Sequence, residues 1–138
     1  MTGRRLILLF SLLPIVACDQ AGTTTALPRP TTAPVTLVSF NGTLQLLATN
    51  THSFTVSQDG YVEVTLLGLG APETTSVGLA IGTPSGTGTC AANHSVTTVA
   101  GPSAQIVGTG LAGPLCITIT DVGNLPSPAI YTITVASS

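Results

Sequence analysis

Few side chains in this 138-residue chain could act as acids, bases or nucleophiles. After residue 18 the carboxylates and imidazoles are Asp19, Asp59, Glu63, Glu73, Asp121, His52 and His94. A hydrolytic triad brings a serine, a histidine and a carboxylate together, and the sequence has no Gly-x-Ser-x-Gly elbow to mark such a serine. His52 begins a strand on the same parity as Phe54, so we expect it to cap the edge of a core. We therefore predict no catalytic residue.

The sequence also offers little for metal or ligand binding. Two isolated histidines without a nearby Cys or carboxylate lack zinc-ligand spacing, and His94 is expected in a turn near Cys90. Asp121 begins the stretch Asp-Val-Gly-Asn, which lacks the further carboxylates of a calcium loop and predicts a turn bonded to the local backbone. We predict neither a metal site nor another cofactor. Tyr61, on the polar side of its strand, is the one fair candidate for ligand binding.

The first eighteen residues have the pattern of an export signal. Arg4 and Arg5 precede an apolar run over residues 6–17 that is too short for a stable membrane span. The run ends Ile15-Val16-Ala17-Cys18, which resembles the bacterial lipoprotein signal. The resemblance implies cleavage before Cys18 and attachment of diacylglycerol to its thiol. Ordinary secretion with cleavage after Ala17 is the alternative, although Ile15 fits the small-x-small cleavage rule poorly.

The number of cysteines agrees with a lipid on Cys18. Three cysteines leave one unpaired in an exported protein. If Cys18 carries the lipid, Cys90 and Cys116 remain as a pair, and export allows them to form a disulfide. Such a bridge would stabilise the fold by on the order of 3 kcal/mol. Two free thiols are the alternative.

These patterns divide the chain into three segments. Residues 1–17 are a predicted cleaved signal peptide, residues 18–34 a lipidated Cys with a Thr- and Pro-rich tether, and residues 35–138 one folded domain. Only 6% of the residues are charged, and the cations are three arginines. That composition excludes a nucleic-acid binder, which needs a basic face, and a coiled coil, which needs Glu and Lys.

From residue 35 onwards, apolar residues alternate with small or polar ones. The clearest runs contain Phe54 and Val56; Val62, Val64 and Leu66; Val77, Leu79 and Ile81; Leu115, Ile117 and Ile119; and Tyr131, Ile133 and Val135. Weaker strands fit at residues 35–40, 44–49, 95–100 and 104–107. Turn signals between the runs include Asn41-Gly42, Pro84-Ser85-Gly86 and Gly113-Pro114. The pattern predicts an all-β fold: a single antiparallel β-sandwich of eight or nine strands, jelly-roll-like or immunoglobulin-like.

One long stretch of this domain is uncharged. No Asp, Glu, Lys or Arg occurs between Glu73 and Asp121. Strands usually carry charges that discourage edge-to-edge pairing. Abundant Gly, Pro and Ser that break up the edges are one explanation. A neutral surface that packs against a partner or against itself is the other.

Three stretches together resemble a known family. His52–Leu66 contains F-T-V, a Gly turn and V-x-V-x-L; Val77–Gly82 is a central strand; and Leu115–Asp121 precedes a closing strand, Tyr131–Val135, of pattern Y-x-I-x-V. They look like the bacterial pre-peptidase C-terminal domain, a small β-sandwich appended to secreted enzymes. The central strand lacks the Asp and aromatic residues common in that family. The resemblance implies a non-catalytic accessory or binding domain and carries no catalytic residue over.

These features lead to a ranked set of functional hypotheses. The first is a non-catalytic, structural or protein-binding module, attached through Cys18 to the cell membrane or outer membrane and facing the periplasm or the exterior. Its expected partners are the membrane and an envelope protein or polysaccharide. The alternative is a surface module that recognises polysaccharide or presents a partner enzyme. An unrecognised hydrolase is third.

Overall fold

The computed structural model describes residues 35–138. The predicted signal peptide at residues 1–17, the proposed lipid site Cys18 and the tether at residues 18–34 lie outside this range. Within it the chain forms eight strands: β1 (Thr36–Leu44), β2 (Thr49–Val56), β3 (Gly60–Leu69), β4 (Val77–Gly86), β5 (Thr89–Thr98), β6 (Ile106–Gly110), β7 (Gly113–Thr120) and β8 (Ala129–Ser137). The described part has no helix long and apolar enough to cross a membrane.

The strands form two four-stranded sheets. Sheet 1 has the order β1-β8-β3-β6 and sheet 2 the order β2-β7-β4-β5. Antiparallel ladders join β1 to β8, β2 to β7, β3 to β6 and β4 to β5. The chain is thus a long two-stranded ribbon, folded back at the β4–β5 turn and rolled so that successive pairs fall in alternate sheets. This arrangement is a jelly roll, and the predicted single all-β sandwich is confirmed.

Side-chain alternation places one face of each sheet in a shared core. In β3, Val62, Val64 and Leu66 are buried, whereas Tyr61 before Val62 and Glu63 after it are exposed. The same alternation holds over residues 131–135, whereas in β4 and β7 the intervening residues Ala80 and Cys116 are buried too. The largest fully buried side chains include Leu44, Leu66, Leu79, Ile117, Ile119 and Ile133. Each buried side chain of this size contributes about 1.5–3 kcal/mol. The period of two in the sequence therefore predicts correctly which side chains enter the core.

The first strand boundary differs from the prediction. The sequence predicts a turn at Asn41-Gly42 and a strand over residues 44–49, but β1 continues to Leu44 and the turn follows at residues 45–48. Gly42 pairs with Tyr131 of β8, and a Cβ on Gly42 would lie 2.5 Å from the Tyr131 hydroxyl oxygen. The glycine therefore makes room for a buried ring and does not mark a turn.

The weaker strands also shift. The sequence predicts strands at residues 95–100 and 104–107, whereas β5 starts at Thr89 and β6 covers Ile106–Gly110. His94 consequently lies inside β5, and the expectation of a turn at this residue is wrong. The β4–β5 turn itself falls at residues 87–88. The polar composition of β5 and the glycines of β6 explain why alternation identifies these two strands poorly.

Two prolines predicted to mark turns lie inside strands. Pro84 belongs to β4 and Pro114 to β7. The ladder between these two strands ends at the pair Gly82 and Cys116, so both prolines lie beyond it. Pro84 pairs with Cys90 and Pro114 with Thr55, so each proline has a partner strand on one side only and can direct its missing N–H group to the other side.

Candidate functional site

His52 is held between the two sheets by aromatic and polar neighbours. Its ring stacks on Phe40 with centroids 4.8 Å apart, and its Nε2 lies 2.7 Å from the Oη of Tyr131. The Nδ2 of Asn50 donates to the same Oη and to the carbonyl of Thr43, both at 3.0 Å. The hydroxyl hydrogen of Tyr131 is then available for Nε2 of a neutral His52. Burial lowers the pKa of His52 below its ordinary value of 6.5, and its predicted place at the edge of the core is confirmed.

His52 and His94 do not converge. The strand registers place them in a single row across sheet 2, in the order His52, Ile117, Ile81 and His94. Neighbouring strands are about 4.8 Å apart, so the two histidine backbones are about 14 Å apart. The geometry therefore does not assemble a site in which both imidazoles share a carboxylate.

The carboxylate of Asp121, directly after β7, accepts hydrogen bonds from backbone N–H groups of two turns. Its Oδ2 accepts from the N–H of Leu47 at 2.8 Å, and its Oδ1 from those of Gly123, Asn124 and Leu125 at 2.9, 3.0 and 3.1 Å. These hydrogen bonds, above all that from Leu47, hold the pKa of Asp121 below 3.8 although burial opposes them. The predicted backbone-bonded turn at this residue is confirmed. Leu47 itself has a φ of 57°, an uncommon conformation for a branched side chain.

The remaining carboxylates lie apart from one another. Asp59 accepts from the N–H of Ala112 at 2.7 Å, while Glu63 and Glu73 are exposed. Residues 35–138 contain no Lys or Arg, so no carboxylate there has a lysine or arginine partner within this range. No group of three or more His, Cys, Asp or Glu side chains that could hold a metal ion occurs in the described part of the chain.

Cys90 and Cys116 form a disulfide, as predicted, with Cα atoms 5.9 Å apart. The bridge joins β5 to β7, two strands that β4 separates in the sheet. Gly82 of β4 pairs with Cys116, and a Cβ at Gly82 would collide with the carbonyl oxygen of Ala91. The close approach of β5 to Gly82 therefore depends on glycine at this position.

A β-bulge accompanies this close approach. Ile81 pairs with His94 and Gly82 with Ala92, which leaves Asn93 without a partner in β4. Bulges bend a strand and increase its local twist. The bend lies three residues after Cys90 and places Asn93 and His94 at the rim of a cleft.

The cleft lies between β5 and β6, which are edge strands of different sheets, and has a volume of about 280 Å³. Its lining residues are Val62, Ile81, Gly82, Asn93, His94, Ile106, Val107, Gly108, Thr109, Gly110 and Leu115. The lining is mainly apolar, with polar side chains at the rim. The cleft was not predicted from the sequence. The sequence shows that β6 contains glycines, but only the pairing of β6 with β3 shows that they face the core.

Tyr61 lies on the outer face of sheet 1 and is 63% exposed. The registers place Leu37, Ala136, Glu63 and Val107 in one row of that face, next to Tyr61. Leu37 and Val107 are exposed as well. The prediction that Tyr61 faces solvent is therefore correct, whereas a ligand for it stays a prediction.

Comparison with known proteins adds no family to this description. No protein-family model matches the chain, and no curated protein sequence matches it either.

Proposed function

We propose that this chain is an exported, lipid-anchored module of the bacterial cell envelope with a non-catalytic, structural or protein-binding role. The observation that carries the proposal is the bridge between Cys90 and Cys116. Disulfides form and persist in oxidising compartments outside the cytoplasm. With both of these cysteines bonded to each other, Cys18 is the one cysteine left for a lipid.

The non-catalytic part of the proposal is supported by the hydrogen bonds that three of the titratable side chains already make. His52 is hydrogen-bonded to Tyr131, Asp121 to four backbone N–H groups and Asp59 to one. These contacts join strands and turns of the domain to one another. An accessory role of the pre-peptidase C-terminal kind is part of the same proposal and rests on the strand patterns of the sequence.

Fractionation of cells that express the full chain tests the anchoring. We expect the wild-type protein in the membrane fraction and the Cys18→Ser variant in the soluble exported fraction. Mass spectrometry should find the wild-type amino terminus at Cys18 with added acyl mass. The double variant Cys90→Ser/Cys116→Ser is the control and should stay with the membrane. An unmodified amino terminus, or a Cys18→Ser variant that remains in the membrane, would refute the proposal.

The exposure of Tyr61 supports polysaccharide recognition as a second candidate function. An exposed aromatic ring with the exposed side chain of Val107 diagonally across the β3–β6 ladder is the kind of surface on which a sugar ring can stack. Titration with soluble polysaccharide fragments should then shift the NMR signals of Tyr61, and the Tyr61→Ala variant should lose the response. Unchanged spectra would remove this candidate.

A further inference from the structure

The cleft between β5 and β6 exists because a side chain is missing from the core side of β6. In the β3–β6 ladder, Ile106 pairs with Val64 and Gly108 with Val62, so Gly108 occupies a core-facing position. A Cβ at Gly108 would have no atom within 4 Å, and its φ imposes no left-handed conformation. The cleft is therefore a space that a side chain from elsewhere can fill.

The size and polarity of the cleft restrict what can enter it. At about 280 Å³ it is slightly smaller than pockets that enclose drug-sized ligands, which start near 300 Å³. No charged side chain lines it. A charged group that entered would lose its hydration without gaining a counter-charge. An aliphatic or aromatic side chain suits this space.

The wall of the cleft also contains backbone groups of β6 that could pair with a further strand. All five residues of β6, Ile106–Gly110, line the cleft. Because consecutive side chains of a strand point to opposite faces of the sheet, side chains alone cannot account for this, and backbone atoms form part of the wall. Among the described residues β6 pairs only with β3, which leaves its other edge available for a further strand. Extended peptides bind to such edges through main-chain hydrogen bonds, and pockets for alternate side chains provide the specificity.

We propose that the edge of β6 binds an uncharged, extended peptide of a partner protein, with one aliphatic or aromatic side chain of the peptide inserted at Gly108. This inference rests on the proposed protein-binding role and names the partner's chemistry. The polar side chains of Asn93 and His94 at the rim can bond to the peptide backbone. The uncharged stretch from residue 74 to residue 120 supplies nearly the whole lining, so a neutral partner meets no repulsion.

Saturation-transfer NMR on the full chain in lipid nanodiscs tests the proposal, with empty nanodiscs as the blank. The probes are capped pentapeptides of sequence Ser-Thr-X-Thr-Ser in which X is Leu, Gly or Asp. We expect the Leu peptide to bind with a dissociation constant on the order of 1 mM, with saturation strongest on the Leu methyl groups. The Gly and Asp peptides should bind about tenfold more weakly or not at all.

Filling the cleft should remove the binding. Gly108→Leu should weaken binding of the Leu peptide at least about tenfold, whereas Gly68→Leu, which also has no atom within 4 Å but lies outside the cleft, should leave it unchanged. If Gly108→Leu does not fold, Gly108→Ala replaces it and should weaken binding of the Leu peptide more than that of a peptide with X = Ala. Unchanged binding in the Gly108 variant that folds would overturn the proposal.

Three further outcomes would overturn it. One is equal binding of the Leu and Asp peptides. Another is saturation of free indole, a small apolar probe, without binding of the Leu peptide, since the cleft would then be a small-molecule site. The third is a rise in peptide affinity on deletion of residues 20–31, which would mean that the chain fills its own cleft. The fractionation of Cys18→Ser is independent, so the failure of either test can be distinguished from that of the other.

Discussion

The Nε2 of His52 lies 2.7 Å from the Oη of Tyr131, and this contact joins the two sheets of the sandwich through side chains. His52 belongs to β2 of sheet 2, while Tyr131 belongs to β8 of sheet 1 and is only 2% exposed. Asn50 donates to the same hydroxyl. One buried oxygen therefore satisfies two polar side chains at the edge of an otherwise apolar core.

Removal of that oxygen should destabilise the domain. Tyr131→Phe keeps the ring but leaves Asn50 and His52 without their shared partner, which costs about 1–3 kcal/mol of unfolding free energy. Urea unfolding followed by circular dichroism measures the change. Tyr61→Phe, in which the lost hydroxyl belongs to an exposed ring, is the matched control and should stay within about 0.5 kcal/mol of wild type. Equal effects of the two variants would contradict the assignment.

The stability of the domain should depend on the protonation of His52. Burial lowers its pKa in the folded state below 6.5, so the unfolded chain binds the proton more readily. The stability contribution of the neutral ring is thus complete above pH 6.5 and is lost as the pH falls towards the folded pKa. Urea midpoints between pH 8 and pH 5 should fall for wild type and fall less for His52→Gln. A flat wild-type profile would refute this prediction.

Asp121 should be required for the turns before β2 and after β7. Asp121→Asn keeps the shape of the side chain but replaces one acceptor oxygen with a donor, so we expect a lower urea midpoint. In the wild type, the pKa below 3.8 means that the stabilisation is present above that value and is lost as the pH falls through the folded pKa. The variant lacks this titration, so its stability should fall less than that of wild type as the pH drops below 3.8, and the difference between the two proteins in acid unfolding should shrink. Glu73→Gln, in an exposed loop, is the control and should match wild type in both measurements.

The disulfide should contribute substantially to stability. Closing a loop with a sequence separation of 26 residues stabilises a fold by about 3 kcal/mol in the chain-entropy model. The double variant Cys90→Ala/Cys116→Ala should lose that amount or slightly more in urea unfolding. Thiol titration of the denatured, unreduced protein should find neither Cys90 nor Cys116 free. A double variant as stable as wild type would show that the bridge does not support the fold.

Gly82 should tolerate no side chain. Gly82→Ala places a methyl group against the carbonyl of Ala91 beneath the disulfide. Overpacking of this kind typically costs about 1–3 kcal/mol. Gly101→Ala has no atom within 4 Å of the new methyl group and should change the unfolding free energy by less than about 0.5 kcal/mol. A Gly82→Ala variant with the control's stability would contradict the crowding at this position.

The predictability of the fold followed the strength of alternation in each strand. Where apolar and polar residues alternate without interruption, as in Val62–Leu66 and Tyr131–Val135, the buried faces were predictable. The bounds of the edge strands β5 and β6 were not predictable. Their exposed residues need no apolar pattern, and β6 carries glycine at core-facing positions.

The polar contacts were likewise predictable only where their partners are close in the sequence. The turn at Asp121 was predictable because three of its four partners lie within four residues of it. The contacts of Tyr131 with Asn50 and His52 join residues 81 and 79 positions apart, and no local pattern encodes such a distance. The cleft was hidden for the same reason, since only the pairing of Gly108 with Val62, 46 positions earlier, shows that this glycine faces the core.

The rolled ribbon also sets the order in which the domain can be completed. Among residues 35–138, β1 pairs only with β8, so the first of the described strands has no ladder until the last of them has been made. Pairings between residues so far apart in sequence form slowly. A jelly roll of this kind therefore cannot close its last ladder until residues 36 to 137 are all free to fold, so every earlier intermediate leaves β1 without a strand partner.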